Sequence, residues 1–378
     1  MALSRSPWWL WDWSKLEFRS NRAVLGPWLP PLAPPDLRDW KWLDKLSASH
    51  HFLIVKYLLL SVFGFVAVVG NGATLSETPL VFAGMCDASA AVALSEDLFV
   101  VANDEDNLLR FYRLNQPGKP IQVYDLNPIL STKRKTPEAD FEGAARLKNR
   151  LFWITSHGRT AKGKPAPLRH RLVAMEITED TNGITIKHIG APYTNLVADL
   201  GRDARFTKYG FTESARHAPK TAGALNIEAL TDTPNGALLI GFRNPLFQGR
   251  AIVVPLLNPN EVVNGFDPQF GNALELDLNG LGLRGMGSSG HGYYLLAGPV
   301  EGGADSQLFM WKGSESTPQL VKEIRFAGIN PEGLCFHDVP GKEFFLVLSD
   351  DGTLPIGGKD CKLLPESDRR FRGFQLFP

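Results

Sequence analysis

The sequence predicts an all-β protein, a single β-propeller of about five to seven blades. Three observations carry that expectation. A short phrase recurs, in which an acidic residue opens one apolar strand and a second apolar strand follows and ends in a polar cluster. Its full copies open at Asp87, Glu142, Glu228 and Glu332, with a degenerate copy at Arg284, separated by 55, 86, 56 and 48 residues. Units of that size, each holding a few short strands, are what a propeller blade requires. A β-sandwich with coincidental turn phrases is the competing architecture.

The first copy runs from Asp87-Ala-Ser-Ala-Ala-Val92 through Leu98-Phe-Val-Val-Ala102 to Asn103-Asp-Glu-Asp-Asn107. The second runs from Glu142-Gly-Ala-Ala-Arg146 through Leu151-Phe-Trp-Ile-Thr155 to Ser156-His-Gly-Arg159. The third joins Glu228-Ala-Leu230 and Ala237-Leu-Leu-Ile240 to Gly241-Phe-Arg-Asn-Pro245. Arg284 replaces the acid in the degenerate copy, which passes through Tyr293-Tyr-Leu-Leu-Ala297 to Gly298-Pro299. The last full copy joins Glu332-Gly-Leu-Cys335 and Phe344-Phe-Leu-Val-Leu348 to Ser349-Asp-Asp-Gly352. Two strands of about five residues around a tight turn form a hairpin, which returns the chain to the end it left. Opening acid and closing cluster therefore lie side by side, and a ring of such units collects all of them on one face. The long interval holds Pro192 to His217, polar and partly helical in pattern, which reads as an insertion (about 192–217).

With 378 residues and zero formal net charge, the chain has an ordinary globular composition and no basic surface suited to nucleic acid. The tract Lys133-Arg-Lys135 reads as a solvated loop. Cys86, Cys335 and Cys361 are too scattered for a zinc site and too few for a disulfide framework, leaving a Cys335–Cys361 pair as an open question. Gly285-Met-Gly-Ser-Ser-Gly-His291 contains no nucleophile elbow, and its glycines read as a turn between strands.

The N-terminus is different in kind. Residues 1–54 hold seven of the nine tryptophans and a proline cluster, with no period of 2 or 3.6. Lys56, the apolar run Tyr57–Val69 and the small residues Gly70, Gly72 and Ala73 match a secretory signal peptide over 55–73. The expectation is a translation start near Val55, whose codon can serve as a bacterial start, with 1–54 a mis-assigned extension. The alternative is a signal anchor over 52–69, and only an uncleaved segment would bring a membrane into play. Residues 74–378 are then the exported propeller, periplasmic or secreted and monomeric. Without 1–54 and Lys56 the chain keeps 32 basic and 35 acidic residues.

These phrases resemble a bacterial family known as domain of unknown function 3616, expected to be β-propellers. Cys86-Asp-Ala-Ser-Ala90, Asn103–Asn107, Phe141–Arg146, Ser156–Arg159, Asn226-Ile-Glu228, Ile240–Pro245 and Leu348–Gly352 carry the resemblance, across roughly residues 80 to 377. It implies the fold and supplies no activity. The Glu-Gly-Leu phrase is also similar in type to that of exported propellers called phytase-like esterases.

The shared face is the candidate site. Asp87, Asp104, Asp106, Glu142, Glu228, Glu332, Asp350 and Asp351 are candidate ligands for a hard cation, calcium or magnesium, since carboxylates converge there without thiolates. Arg159, Arg243 and Arg284 are candidates to grip a phosphate or carboxylate, and His157 to move a proton. Together they would suit metal-assisted hydrolysis of a small anionic ester. The alternative is a non-catalytic propeller that binds a ligand or protein partner, its acids and arginines holding the blades together.

Overall fold

The second strand of each repeat is apolar at nearly every position, not at alternate ones, because both of its faces are covered. The computed structural model describes residues 72–130, 138–180, 183–303 and 305–378. Among these, five antiparallel sheets form the five blades of a propeller. From the innermost strand outward, blade I comprises Ala88–Ala93, Leu98–Asn103, Leu108–Arg113 and Gln122–Asp125. Blade II comprises Phe141–Leu147, Arg150–Thr155, Leu172–Asp180 and Gly183–Tyr193. Asn226–Asp232, Leu238–Asn244, Ala251–Leu256 and Leu274–Leu276 form blade III. Blade IV is built from Gly282–Ser289, Gly292–Gly298, Gln307–Trp311 and Gln319–Leu320. Pro331–Val339, Lys342–Ser349 and Arg370–Phe377 make blade V, whose outer edge is completed by Thr74–Leu75 and Leu80–Ala83 from the start of the described chain.

The five inner strands pack on one another in cyclic order, so the ring is closed. Five apolar clusters fill the five seams between neighbouring blades. Side chains alternate across a strand, and this divides each second strand between two seams. Leu98 and Val100 enter the seam with blade II, while Phe99 and Val101 enter the seam with blade V. Leu151 and Trp153 face blade I, and Phe152 and Ile154 face blade III. Each fully buried side chain of this size stabilises by roughly 1.5–3 kcal/mol relative to exposure.

The expected insertion is present between blades II and III. It contains α1 (Leu196–Arg202), a 3-10 turn (Ala204–Tyr209) and α2 (Phe211–Ser214), though Pro192 and Tyr193 still belong to the outer strand of blade II. Leu196, Leu200, Phe206 and Phe211 anchor it on the blade II–III seam. The Gly285–His291 stretch is not a turn throughout. Gly285 and Gly287 lie within the inner strand of blade IV, and only the tip between Ser289 and Gly292 turns.

The cysteine question is resolved against the pair considered above. Cys361 is bonded to Cys86, and Cys335 is free and buried. Cys335 lies mid-strand in the V–I seam, whereas Cys361 lies in the loop between the second and third strands of blade V, where that loop meets blade I. The Trp-rich extension, the apolar run 57–69 and Lys133–Lys135 lie outside the described residues. Among the described residues no helix is long and apolar enough to cross a membrane.

Candidate functional site

Every inner strand carries a bulge near its start, shown by a register shift against its second strand. A bulge leaves one residue out of the ladder and re-aims its side chain. The residues skipped are Ser89, Glu142, Glu228, Arg284 and Glu332. These five stand at equivalent places around the axis. Asp87, aligned with the opening acids in the sequence, lies two residues earlier, level with Asp140, Asn226, Gly282 and Asn330. The repeat is therefore a polar residue, a spacer, and a bulged residue: Asp87-Ala-Ser89, Asp140-Phe-Glu142, Asn226-Ile-Glu228, Gly282-Leu-Arg284 and Asn330-Pro-Glu332.

The glycine after the bulge has a steric cause. A Cβ on Gly143 would lie 2.8 Å from Leu230 Cβ, and one on Gly285 would lie 2.4 Å from the Glu332 carbonyl oxygen. Inner strands of adjacent blades approach too closely there for a side chain. Below the bulged residues the channel keeps only about 10 Å³ of free space. Above them it opens into a cavity of about 600 Å³.

Charge is unevenly compensated around this cavity. On the side of blades III to V, Glu228 and Glu332 are paired with arginines, although Glu228 Oε2 has no hydrogen-bond partner. Arg243 donates to Glu228 Oε1 at 2.6 Å and to the Pro299 carbonyl, and Asn226 donates to the same Glu228 oxygen at 2.7 Å. Arg284 pairs with Glu332 and donates to Asn330 Oδ1 at 2.8 Å, and Asn330 in turn donates to Asp350 at 2.9 Å. Blades I and II present Asp87, Asp104, Asp140 and Glu142. Among the described residues only Asp140 of these four has a salt-bridge partner, Arg169 at 2.7 Å, which it shares with Glu138.

Carboxylate oxygens of Asp104, Asp140 and Glu142 lie within 4.8 Å of one another. Asp104 Oδ1 is buried without a hydrogen-bond partner. Burial and the neighbouring acids push the Asp104 and Glu142 carboxyls well above the usual range. Asp87 is pushed up to about 7 by burial and by Asp350, and Asp140 to about 6 by burial despite Arg169. Asp140 also adopts a left-handed backbone, φ 64°, a conformation disfavoured for residues with a Cβ and frequent at functional sites.

The cavity thus gathers six of the eight carboxylates singled out in the sequence: Asp87, Asp104, Glu142, Glu228, Glu332 and Asp350, with Arg243 and Arg284. Asp106 points away to a fork with Arg110, at 3.1 and 2.9 Å, and Asp351 to one with Arg372, at 2.7 and 2.8 Å. Arg159 is spent on the carbonyls of Ala215 and Gly163. His157 is buried off the cavity wall, with Nδ1 2.7 Å from the Thr155 carbonyl and Nε2 enclosed without a partner. Burial and the adjacent His170 drop its imidazole to about 3, so the ring is neutral. Residues missed in the sequence include Asp140, Arg169, Asn330, Lys220 and Lys362, all on the cavity wall. Asp140 and Asn330 had a signal, two residues before each bulged acid. Lys220 and Lys362 come from irregular loops and had none.

No curated protein matches the chain. Among solved structures it is similar to glutaminyl cyclase of Myxococcus xanthus, with 11% identity, 81% of this chain and 97% of that one covered, and a TM-score of 0.38. It is also similar to the sialidase of Trypanosoma rangeli (10% identity, 76% and 50% covered, TM-score 0.39). The allergen Mala s 1 of Malassezia sympodialis aligns at 11% identity over 76% of this chain and 77% of that one, with a TM-score of 0.35. One family model, described as Protein of unknown function (DUF3616), matches residues 173–326, from the third strand of blade II through blade IV. The chain resembles, in its repeat phrases and over that matched stretch alike, this family of unknown function.

Proposed function

We propose that the cavity binds a divalent cation between Asp104, Asp140 and Glu142 and, through it, a small anionic ligand. The observation that carries this reading is the convergence of three carboxylates, one with an enclosed, unpartnered oxygen, at a place where Arg169 pairs with Asp140 and leaves Asp104 and Glu142 without a salt bridge among the described residues. Uncompensated buried acids are costly, and a hard cation offsets them. Oxygens up to 4.8 Å apart span a calcium ion bonded at about 2.3–2.6 Å more readily than magnesium at about 2.0–2.1 Å. Lys220 on the rim supplies positive charge for the anion, beside Lys362, which is paired with Glu105.

Metal-assisted hydrolysis of a phosphate or carboxylate ester is the reaction such a set supports. Among the described residues the cavity is lined by one hydroxyl side chain, Thr353, and by no histidine that could activate it, which favours water as the nucleophile. Carboxyls poised near neutrality, rather than His157, would handle the proton. Binding without catalysis is favoured by one observation: Arg243 and Arg284 are already committed to Glu228, Glu332, Asn330 and Pro299. The disulfide and the apolar run near Lys56 support an oxidising, exported setting.

Calcium and magnesium titration followed by the thermal midpoint tests the cation site. A saturable rise with calcium, absent in Asp104→Asn and Glu142→Gln and retained in the remote Asp338→Asn, is expected. No rise in the parent protein with either ion overturns the reading. A rise without turnover of any phosphate or carboxylate ester leaves a binding propeller.

A further inference from the structure

Residues 350–369 connect the second and third strands of blade V and lie outside its sheet, with a small hairpin (Pro355–Ile356 and Lys359–Asp360) and two 3-10 turns (Cys361–Leu363 and Glu366–Asp368) of their own. This strap forms one wall of the acidic cavity, through Asp350, Thr353 and Lys362. It also crosses the seam to blade I. The Asp351 amide donates to the Cys86 carbonyl at 2.9 Å, and Lys362 reaches Glu105 at 2.8 Å. The strongest tie is the Cys86–Cys361 bond.

That bond is placed beside the cavity on both of its arms. Cys86 is the residue before Asp87, and Cys361 the residue before Lys362. The Asp87 carboxyl and the Lys362 ammonium both line the cavity. The fit between strap and blade I is close: a Cβ on Gly352 would lie 1.7 Å from Asp87 Oδ1. Other contacts close the ring as well. The strands Thr74–Leu75 and Leu80–Ala83 pair with Arg370–Phe377, and the apolar seam between blades V and I is continuous.

We propose that the Cys86–Cys361 disulfide is a positioning clamp for the cation and anion site. Oxidised, it holds Asp87, Asp350 and Lys362 in register with Asp104 and Glu142. Reduced, it frees the strap, and ligand affinity falls while the five blades stay assembled. A dithiol reductant supplies the two electrons and two protons: one of its thiolates attacks a sulfur, the Cys86–Cys361 bond breaks, and its second thiol resolves the mixed disulfide. Two cysteine thiols and the oxidised dithiol result. Both cysteines are fully enclosed, so reduction must wait for the strap to open. The affinity part of this inference rests on the cation reading above, whereas the clamping of the strap does not.

The experiment compares the parent protein, Cys86→Ser/Cys361→Ser and Cys335→Ser by calcium titration and by amide hydrogen exchange, with far-UV circular dichroism reporting the fold. Displacing a group that orients metal ligands weakens metal affinity by about 10–100-fold, and a loss of that size is expected in the double variant only. Exchange should quicken in 350–363 and around Asp87 and stay unchanged in the second strands of the blades. Gly352→Ala, with the disulfide intact, should also weaken calcium binding by displacing Asp87. Unchanged calcium affinity in the double variant, exchange quickened evenly over all five blades, or loss of the fold would each overturn the clamp. A parent protein that binds neither ion sinks the cation reading alone, and the exchange comparison still decides whether the strap is clamped.

Discussion

Glu228 and Arg243 show what single residues do here. Both are almost fully enclosed, at 5% and 6% exposure, and both are bulged out of paired strands toward the axis. Removing one partner of such a pair leaves an uncompensated charge, which costs about 3–5 kcal/mol. Arg243→Ala should lose that much stability in denaturant titration, and Glu228→Gln/Arg243→Met should lose less than the two single changes summed. Glu142 is the contrasting acid, without a salt bridge among the described residues. Its carboxyl is raised in the folded state, so its contribution to stability is present below the unfolded value, near 4.5, and is lost as pH rises above it. Glu142→Gln should therefore raise the thermal midpoint at pH 8 without divalent ions, leave it unchanged at pH 4, and abolish the calcium response. The sequence made Glu142, Glu228 and Glu332 legible because the bulge repeats with the phrase. It misplaced Asp87, because two residues of offset against Ser89 are invisible until the ladder is known. Arg169 stayed hidden for another reason: it comes from a loop 29 residues beyond Asp140 that no repeat marks.

At the scale of the element, the tight contacts between inner strands explain the Glu-Gly phrase better than any chemistry of glycine in turns. Gly285→Ala would push a methyl group into the backbone of the next blade, and such overpacking costs about 1–3 kcal/mol. Gly290→Ala, at the tip of the same hairpin with open space around it, should stay within about 0.5 kcal/mol of the parent protein. Thermal unfolding of the two variants side by side checks the difference. The blades were legible because their second strands are buried on both faces and read as continuous apolar runs. The disulfide partner was not, since Cys86 and Cys361 are 275 residues apart and meet only when the ring closes.

For the whole molecule, stability should follow pH by two opposed trends. Buried histidines are lowered, His157 to about 3 and His337 to about 4, chiefly by desolvation. The unfolded chain takes up those protons first, so stability falls as pH drops from about 6.5 toward those values. Asp87 and Asp140, raised to about 7 and about 6, act in the opposite sense, losing their contribution as pH climbs from about 4 through those values. Saturating calcium should cancel the second trend and leave the first, which melting curves across pH with and without the ion would separate. A midpoint profile indifferent to calcium at pH 8 would contradict that assignment.

The edge of blade V has a consequence for how the chain reaches this state. Leu75 pairs with Leu376, and Leu80–Ala83 with residues 370–373, so the last ladder joins segments about as distant in sequence as the domain allows. Four blades can assemble from neighbouring segments, but the fifth must wait for its final strand to be synthesised and to find the first. Until then Arg370–Phe377 or its partner presents an unpaired edge, open to the same strand of another copy. Such long-range pairing is slow. Exchanged dimers, in which each copy lends its opening strands to the other, are therefore the expected misassembly on rapid refolding at high concentration.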